Sequence, residues 1–381
     1  MNVMFMRNRS ERPPHGRIDL SRRAPAVRGA AIMAALFVLL AGQSLSASPA
    51  AEQMSADLLP IKAYTQSNAG DMQAATATLR AVAGDYNELL TAHGFDYQAA
   101  WSAQAEELRQ LVDAGRDAWV AASTAYELSE GIIAGVPSLA YYDVWIDAGP
   151  SGAEDPAEAL DWTLTIEEGN VMESPGNLFH HLTEPVLWGT MDDWSGARVD
   201  LDRDGAVAMV GDSLPEVKMF LAVAGAIDDA AIEMGQAVDG WDPTLSDVFT
   251  ALVVMVPTMN EYFGQWKESR YVAGAASGEA SFVAVSRLFD INGILTGPDV
   301  AYQHVTGLVA EQDASLDAQI RAGFEQLLGY VGDLHDQERA GRQFTAAEAD
   351  LFGTEAQELA TTLSALLARA AEVLEITLDL A

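Results

Sequence analysis

Residues 117–134 read DAWVAASTAYELSEGIIA and have the periodicity of an amphipathic α-helix. Large apolar side chains recur at helical spacing, at Trp119, Tyr126 and Ile133, and therefore lie on one face. Glu130 falls on the same face, where an apolar residue is expected. The stretch predicts a helix that packs into a core and carries one carboxylate on its packed side. That carboxylate is either a metal ligand or a capped, water-bridged group near the helix end.

Helical periodicity extends over most of the chain, and the sequence has no convincing alternating β-strand pattern. The predicted helices cover residues 71–93, 97–114, 117–134, 214–238, 245–272, 281–309, 315–338 and 345–378. Loops rich in glycine, proline and acidic residues are expected over 147–176 and 192–205. We therefore predict an all-α fold of two packed helical bundles, one over residues 51–205 and one over residues 206–381.

The first 50 residues have the pattern of a cleaved signal peptide. Seven arginines precede an apolar run over residues 30–41, and small residues follow as far as Ala50. The apolar run is shorter than the roughly 20 residues that a membrane-spanning helix needs. We expect export by the general secretion (Sec) route, with cleavage after Ala50. The mature protein is then periplasmic or extracellular and has no direct membrane anchor.

The composition excludes several classes of function. The chain has no cysteine, which rules out a disulfide scaffold, a thiolate metal site and a lipid-anchored N-terminal cysteine. It has 21 basic and 56 acidic residues, a formal net charge of −35 at pH 7. Such a field repels nucleic acid and anionic membranes and attracts cations. The acidity fits a solvated surface suited to a salty medium, electrostatic concentration of a metal cation, or both.

Residues 177–189, NLFHHLTEPVLWG, place an imidazole and a carboxylate in an apolar context. In an α-helix that begins at Asn177, His181 and Glu184 are three residues apart and share one face. A buried carboxylate is costly unless it has a partner, and imidazole with carboxylate suits iron, copper or zinc. A Glu–His hydrogen bond in a helical core also explains the pair, and is the commoner cause of an isolated H-x-x-E.

Two further acidic motifs bear on metal binding. Asp143 and Asp147 are four residues apart among large apolar side chains, where they either supply oxygen ligands or begin a loop. Residues 200–205, DLDRDG, copy the first half of a calcium-binding loop. The twelfth position of such a loop requires a bidentate glutamate and is Gly211 here, so we expect a solvated turn without calcium. The sequence contains no motif for nucleophilic catalysis or phosphate binding.

Three of these motifs together resemble those of the imelysin-like superfamily, especially the EfeO/EfeM-type periplasmic components of iron uptake. The family patterns are G-x-H-x-x-E with an L-W-G tail, Y-E-x-x-E and D-x-x-I-D. They match His181, Glu184 and residues 187–189, residues 126–130, and residues 143–147. The C-terminal part resembles the family more loosely.

The resemblance implies a secreted protein that binds a metal cation for iron or copper acquisition, with zinc as a further option. The expected ligands are His181, Glu184 and Glu130, with Asp143 and Asp147 as additional oxygen donors. Its implied partners are an inner-membrane iron permease and a periplasmic peroxidase. Two other functions stay open, an imelysin-type zinc metallopeptidase and a metal-free interaction module on the cell surface.

Two departures from the family pattern affect the same helix. Phe179 stands where the family has glycine, and Pro185 directly follows Glu184. Proline disfavours helical geometry in the preceding residue and costs about 3 kcal/mol in a helix interior. We expect a kink just past Glu184, because the apolar pattern continues through Trp188. A metal site also requires this helix to pack against the one that ends near Glu130.

Overall fold

The computed structural model describes residues 57–256 and 259–380, and its secondary structure is almost entirely helical. The all-α fold class is confirmed, whereas the predicted signal peptide lies outside the described residues. No helix within the described ranges is long and apolar enough to cross a membrane. The helices are α1 (Leu59–Ala92), α2 (Tyr97–Ile133), α3 (Ala140–Asp143), α4 (Glu184–Trp188), α5 (Val217–Gly240), α6 (Leu245–Met255), α7 (Met259–Glu268), α8 (Arg270–Ala273), α9 (Arg287–Gln312), α10 (Ala314–Arg339) and α11 (Ala346–Val373).

The long helices pack around one apolar core. Helix α1 packs on both α2 and α5, and α2 also packs on α9. Helix α9 packs on α10, α10 on α11, and α11 on α7. Contacts cross the predicted boundary near residue 205. Tyr86 donates a hydrogen bond to the carbonyl of Pro215 at 2.8 Å, and Arg80 pairs with Asp228 at 3.1 Å. The division of the chain into two bundles stays a prediction.

Helix α2 differs from its prediction, because it continues through Gly115; its backbone departs from helical geometry at Gln104 (φ −137°, ψ 38°). The Asp96 side chain caps its first turn by accepting a hydrogen bond from the amide of Ala99. A Cβ atom at Gly115 would lie 3.3 Å from the side chains of Leu187 and Phe220. The glycine therefore permits close packing and does not end the helix.

The C-terminal helices also differ from their predicted bounds. The predicted helix over 245–272 is divided into α6, α7 and α8. Helix α9 begins at Arg287 and not near residue 281, and its first turn is capped by the Ser286 hydroxyl. Residues 281–285 are therefore not part of α9, and Ser281 donates a hydrogen bond to the carbonyl of His180 at 2.7 Å.

Two short antiparallel strand pairs are present; three of the strands lie in predicted loops, and the fourth overlaps the start of the predicted helix over 214–238. Strand β1 (Thr163–Glu167) pairs with β2 (Asn170–Glu173), and β3 (Ser195–Arg198) pairs with β4 (Ser213–Pro215). The sequence analysis missed these strands because strands of three to five residues are too short to show clear alternation.

Close contact between α2 and α9 depends on glycine. A Cβ atom at Gly293 of α9 would lie 2.7 Å from the Cβ atom of Glu127, and a Cβ atom at Gly131 of α2 would meet the carbonyl of Ile294. Without these side chains the two helix backbones approach each other. This approach places Glu127 of α2 and Asp290 of α9 in the same interior region.

Candidate metal centre

A cluster of buried carboxyl groups is contributed by α2, α4, α9 and the π-helical turn Val144–Ala148, and each of its members is at most 5% exposed. We call it the acidic cluster, and its members are Glu127, Glu130, Asp147, Glu184 and Asp290. Two basic side chains, His180 and Arg287, are buried among them at 2% and 3% exposure. Carboxylates outnumber basic groups here, so the interior needs further positive charge, from bound protons or from a cation.

Three side chains of this region direct ligand atoms at a common point. One atom each of Glu127, Asp147 and His180 lies within 4.8 Å of the others. Among the described residues, neither carboxylate oxygen of Glu127 has a hydrogen-bond partner. Oδ1 of Asp147 and Nε2 of His180 form an ion pair at 3.1 Å without the alignment of a hydrogen bond. Unpartnered buried polar atoms are costly. An imidazole nitrogen with two carboxylates is a donor set that suits a transition-metal cation.

Two π-helical turns place two of these side chains. Asp147 lies in the turn Val144–Ala148 and His180 in the turn Leu178–Thr183. In the second turn the amide of Glu184 donates to the carbonyl of Phe179, five residues back. Such turns are rare and are frequent at functional sites. In a regular α-helix both histidines, three and four residues before Glu184, would share its face; in the wider turn only His180 lies against Glu184, at 2.9 Å.

Asn177 and Pro185 explain the shape of this segment. The Asn177 side chain accepts from the amides of His180 and His181, so it caps the turn as the sequence predicted. Pro185 has no amide hydrogen and would clash with the carbonyl four residues back in a regular α-helix. The π-helical turn avoids that clash, and α4 then continues to Trp188. The helix continues past Glu184 as predicted, and the change in helix type lies before Pro185. The kink itself stays a prediction.

His181, the histidine of the predicted ligand set, has other partners. Its Nε2 atom lies 2.8 Å from Oε2 of Glu154, and its Nδ1 atom lies 2.7 Å from the side-chain nitrogen of Asn177. The His181 side chain is 25% exposed, against 3% for the side chain of His180. The structure therefore places His181 at the surface side of the turn and His180 inside.

The other predicted ligands are brought near Asp147. Oε1 of Glu130 accepts a 3.4 Å hydrogen bond from the Tyr262 hydroxyl, and its Oε2 has no partner among the described residues. Asp143 accepts a 2.7 Å hydrogen bond from the Tyr126 hydroxyl. Glu130, Asp143 and Asp147 are close enough for their charges to interact. Their role as ligands stays a prediction.

Burial and mutual repulsion favour protonated carboxyl groups in part of the cluster. Burial raises the pKa of Glu127 well above its usual range, and the charges of Asp290 and Glu130 raise it further. The pKa of Glu130 is also raised well above its usual range, by burial and then by Asp147 and Asp143. Burial and Asp147 raise the pKa of Asp143 to about 7. Protons therefore compete with any cation for these oxygens.

His180 and Asp147 behave differently, because each stabilises the charge of the other. Burial by itself lowers the pKa of His180, but Asp147 and then Glu184 outweigh it and raise the pKa to about 10. Burial raises the pKa of Asp147, but the His180 charge and Arg287 outweigh it and hold the pKa below its usual value. Without a cation, His180 is therefore an imidazolium next to an ionised Asp147.

Sequence analysis missed Glu127, His180 and Asp290 as members of this region. Glu127 lies one position beside the apolar stripe of α2, and it is buried because α9 packs there. The adjacent histidines 180 and 181 could not be told apart without the width of the helical turn. Asp290 follows Leu288 and Phe289, and its burial depends on a contact between distant parts of the chain.

The acidic turn over residues 200–205 also gathers carboxylates. Oxygen atoms of Asp200, Asp202 and Asp204 lie within 4.8 Å of one another, and the last two residues are exposed. Their oxygens accept hydrogen bonds from the backbone amides of Asp204, Gly205 and Ala206 in the same turn. Internal hydrogen bonds of this kind are typical of a solvated turn.

A comparison with known families identifies the class of protein. The family model Peptidase_M75 (Imelysin) matches residues 82–370, which include every member of the acidic cluster. The chain therefore belongs to the imelysin family. No curated protein matches it.

Proposed function

We propose that this protein captures a metal cation through Glu127, Asp147 and His180. The observation that carries the proposal is the convergence of buried ligand atoms of these three residues, which include both unpartnered oxygens of Glu127. A cation at their common point would satisfy all of them and would neutralise part of the surplus negative charge. Glu130 and Asp143, whose charges interact with that of Asp147, are further oxygen donors in this proposal. This set keeps Asp147 from the sequence-based ligands and takes His180 in place of His181.

The donor set supports iron or copper as the cation, with zinc as a further option. Nitrogen and carboxylate oxygen are borderline-to-hard donors, and the chain has no thiolate to favour a softer ion. Three protein ligands leave positions open for water or for additional carboxylates. The acidic surface, net charge −35, raises the local concentration of cations.

The physiological role we propose is metal acquisition outside the cytoplasmic membrane, of the EfeO/EfeM type. Support comes from the family membership and from the sequence pattern of residues 1–50. In this role the protein passes its cation to an inner-membrane permease, and a periplasmic peroxidase is its second partner. It acts by binding and release and does not require a catalysed reaction.

Titration calorimetry of residues 51–381 tests the proposal. Ferrous, cupric and zinc ions are added as salts, and ferric ion is added as its nitrilotriacetate complex. We expect 1:1 binding of at least one ion. The His180→Gln variant should lose metal affinity by more than the 10- to 100-fold that is typical when a residue that supports a ligand is replaced. The matched control is His181→Gln, for which we expect less than a threefold change. Absence of saturable binding, or equal losses in the two variants, would contradict the proposal.

A further inference from the structure

The carboxylate of Glu184 is fully buried and has all of its hydrogen-bonding capacity in use. Its Oε1 accepts the amides of Val283 at 2.7 Å and Ala284 at 2.8 Å. Its Oε2 accepts the amide of Phe282 at 2.9 Å and lies 2.9 Å from Nδ1 of His180. Three successive backbone amides around one carboxylate form an anion-binding nest. A cation would have to displace these donors to reach Glu184.

The same donors belong to a segment that covers the site. We call residues 280–286 the covering segment. Thr190 donates a hydrogen bond to the carbonyl of Ala280 at 2.7 Å, and Ser281 donates one to the carbonyl of His180 at 2.7 Å. Phe282 has φ +55°, a left-handed conformation that is costly for a residue with a side chain. The hydrogen bonds to Glu184 hold the segment in this conformation.

Phe282 connects the covering segment to both basic groups of the site. The centroid of the Phe282 ring lies 4.3 Å from that of the His180 ring. The guanidinium carbon of Arg287 lies 4.4 Å from the centroid of the Phe282 ring. Arg287 in turn pairs with Asp290 at 3.0 Å. The aromatic ring therefore closes one side of the imidazole, and α9 begins directly behind it.

We propose that Glu184 is a positioning residue and not a metal ligand, and that it couples the orientation of His180 to closure of the covering segment. This inference rests on the proposed function. By holding Nδ1, Glu184 leaves Nε2 to point at Glu127 and Asp147. By holding the amides of residues 282–284, it keeps Phe282 over the ring. A cation bound by Nε2 is then released only when the segment opens.

The test uses cupric ion with Glu184→Gln. We expect cupric ion to bind this variant with 10- to 100-fold lower affinity and to transfer faster to excess EDTA. At saturating copper, pulsed EPR should show the imidazole-nitrogen couplings and g-values of the wild type. Altered g-values at saturation would identify Glu184 as a ligand, and unchanged affinity and transfer rate would show that it positions nothing. Either result overturns the inference.

A second variant covers the case in which Glu184→Gln does not fold. Phe282→Ala keeps Glu184 and its backbone donors and removes only the ring over His180. We expect wild-type g-values with faster copper transfer to EDTA, and an unchanged transfer rate overturns the coupling. If the wild type itself binds no copper or iron, the proposed function has failed. If the wild type binds and both variants behave like it, only the inference about Glu184 has failed.

Discussion

Nε2 of His180 and Oδ1 of Asp147 lie 3.1 Å apart without the alignment of a hydrogen bond. Each atom comes from a separate π-helical turn, and Glu127 adds an unpartnered carboxylate from α2. A cation at this point would replace the proton of His180 as the partner of Asp147 and would give Glu127 a partner. The relationship between these two atoms therefore links the local irregularity of the helices to the proposed binding site.

Replacing Glu127 by glutamine should affect stability and binding in opposite directions. The substitution removes a buried ionisable group that has no hydrogen-bond partner and lies among other carboxylates. Burial and the charges of Asp290 and Glu130 already favour the uncharged form of Glu127, so an uncharged amide in its place removes this repulsion at little cost. We expect the metal-free variant to melt at the wild-type temperature or above it, with at least tenfold weaker metal binding. Thermal unfolding with chelator and calorimetric titration measure the two effects. A clearly lower melting temperature would show that Glu127 has a structural partner.

The free energy of unfolding of the metal-free protein should decrease as pH rises from 5 to 9. Burial raises the pKa of Asp290 to about 6 and that of Asp143 to about 7, above the usual value near 4. A group whose pKa is raised on folding stabilises the protein below its unfolded pKa, and that contribution is lost as pH rises through the folded pKa. The imidazolium of His180 acts in the same direction, with its contribution lost between about pH 6.5 and 10.

Thermal melts across this pH range, with chelator and with bound metal, test the expectation. Metal affinity should rise as the competing protons leave. The increase in melting temperature that metal produces, relative to protein with chelator, should therefore be larger at pH 8 than at pH 6. In the metal-free state, the melting temperature of the His180→Gln variant should depend less on pH than that of the wild type. A melting temperature that increases steadily from pH 5 to 8 in the chelated wild type would refute the assignment of raised pKa values.

Two glycines of α9 provide a matched test of the α2–α9 contact. A Cβ atom at Gly293 would lie 2.7 Å from the Cβ atom of Glu127, whereas Gly307 is exposed and has no atom within 4 Å of the corresponding position. We expect Gly293→Ala to destabilise the protein by about 1–3 kcal/mol through overpacking and to weaken metal binding. Gly307→Ala should stabilise by up to about 1 kcal/mol. Urea unfolding measures both, and equal effects would mean that α2 and α9 do not approach as described.

Casein should remain uncut by this protein, with or without added zinc. Glu127, Asp147 and His180 are 1%, 5% and 2% exposed, and Phe282 covers the imidazole. A polypeptide substrate cannot reach ligand atoms enclosed to this extent, although a small cation can. Cleavage assays on unfolded casein with and without chelator check the prediction. Chelator-sensitive cleavage that is lost in His180→Gln would instead favour the metallopeptidase alternative.

The sequence by itself determined the fold class and the chemical type of the site. Helical periodicity depends only on local spacing, so the all-α class could be predicted from stretches such as residues 117–134. The absence of cysteine limited any metal donors to nitrogen and oxygen. Glu130 occupies an otherwise apolar stripe, and its burial followed from that position. The motif pattern also predicted the family, which the comparison with known families confirmed.

Tertiary structure alone decided which side chains meet. The choice between His180 and His181 depends on a π-helical turn, which ends two residues before Pro185 and contacts the covering segment through Ser281. Glu127 and Asp290 become neighbours because α2 and α9 approach at glycines, although 162 residues separate them in the chain. The amides that hold Glu184 come from residues 282–284. Contacts between distant segments leave no local periodicity in the sequence, so only the folded chain reveals them.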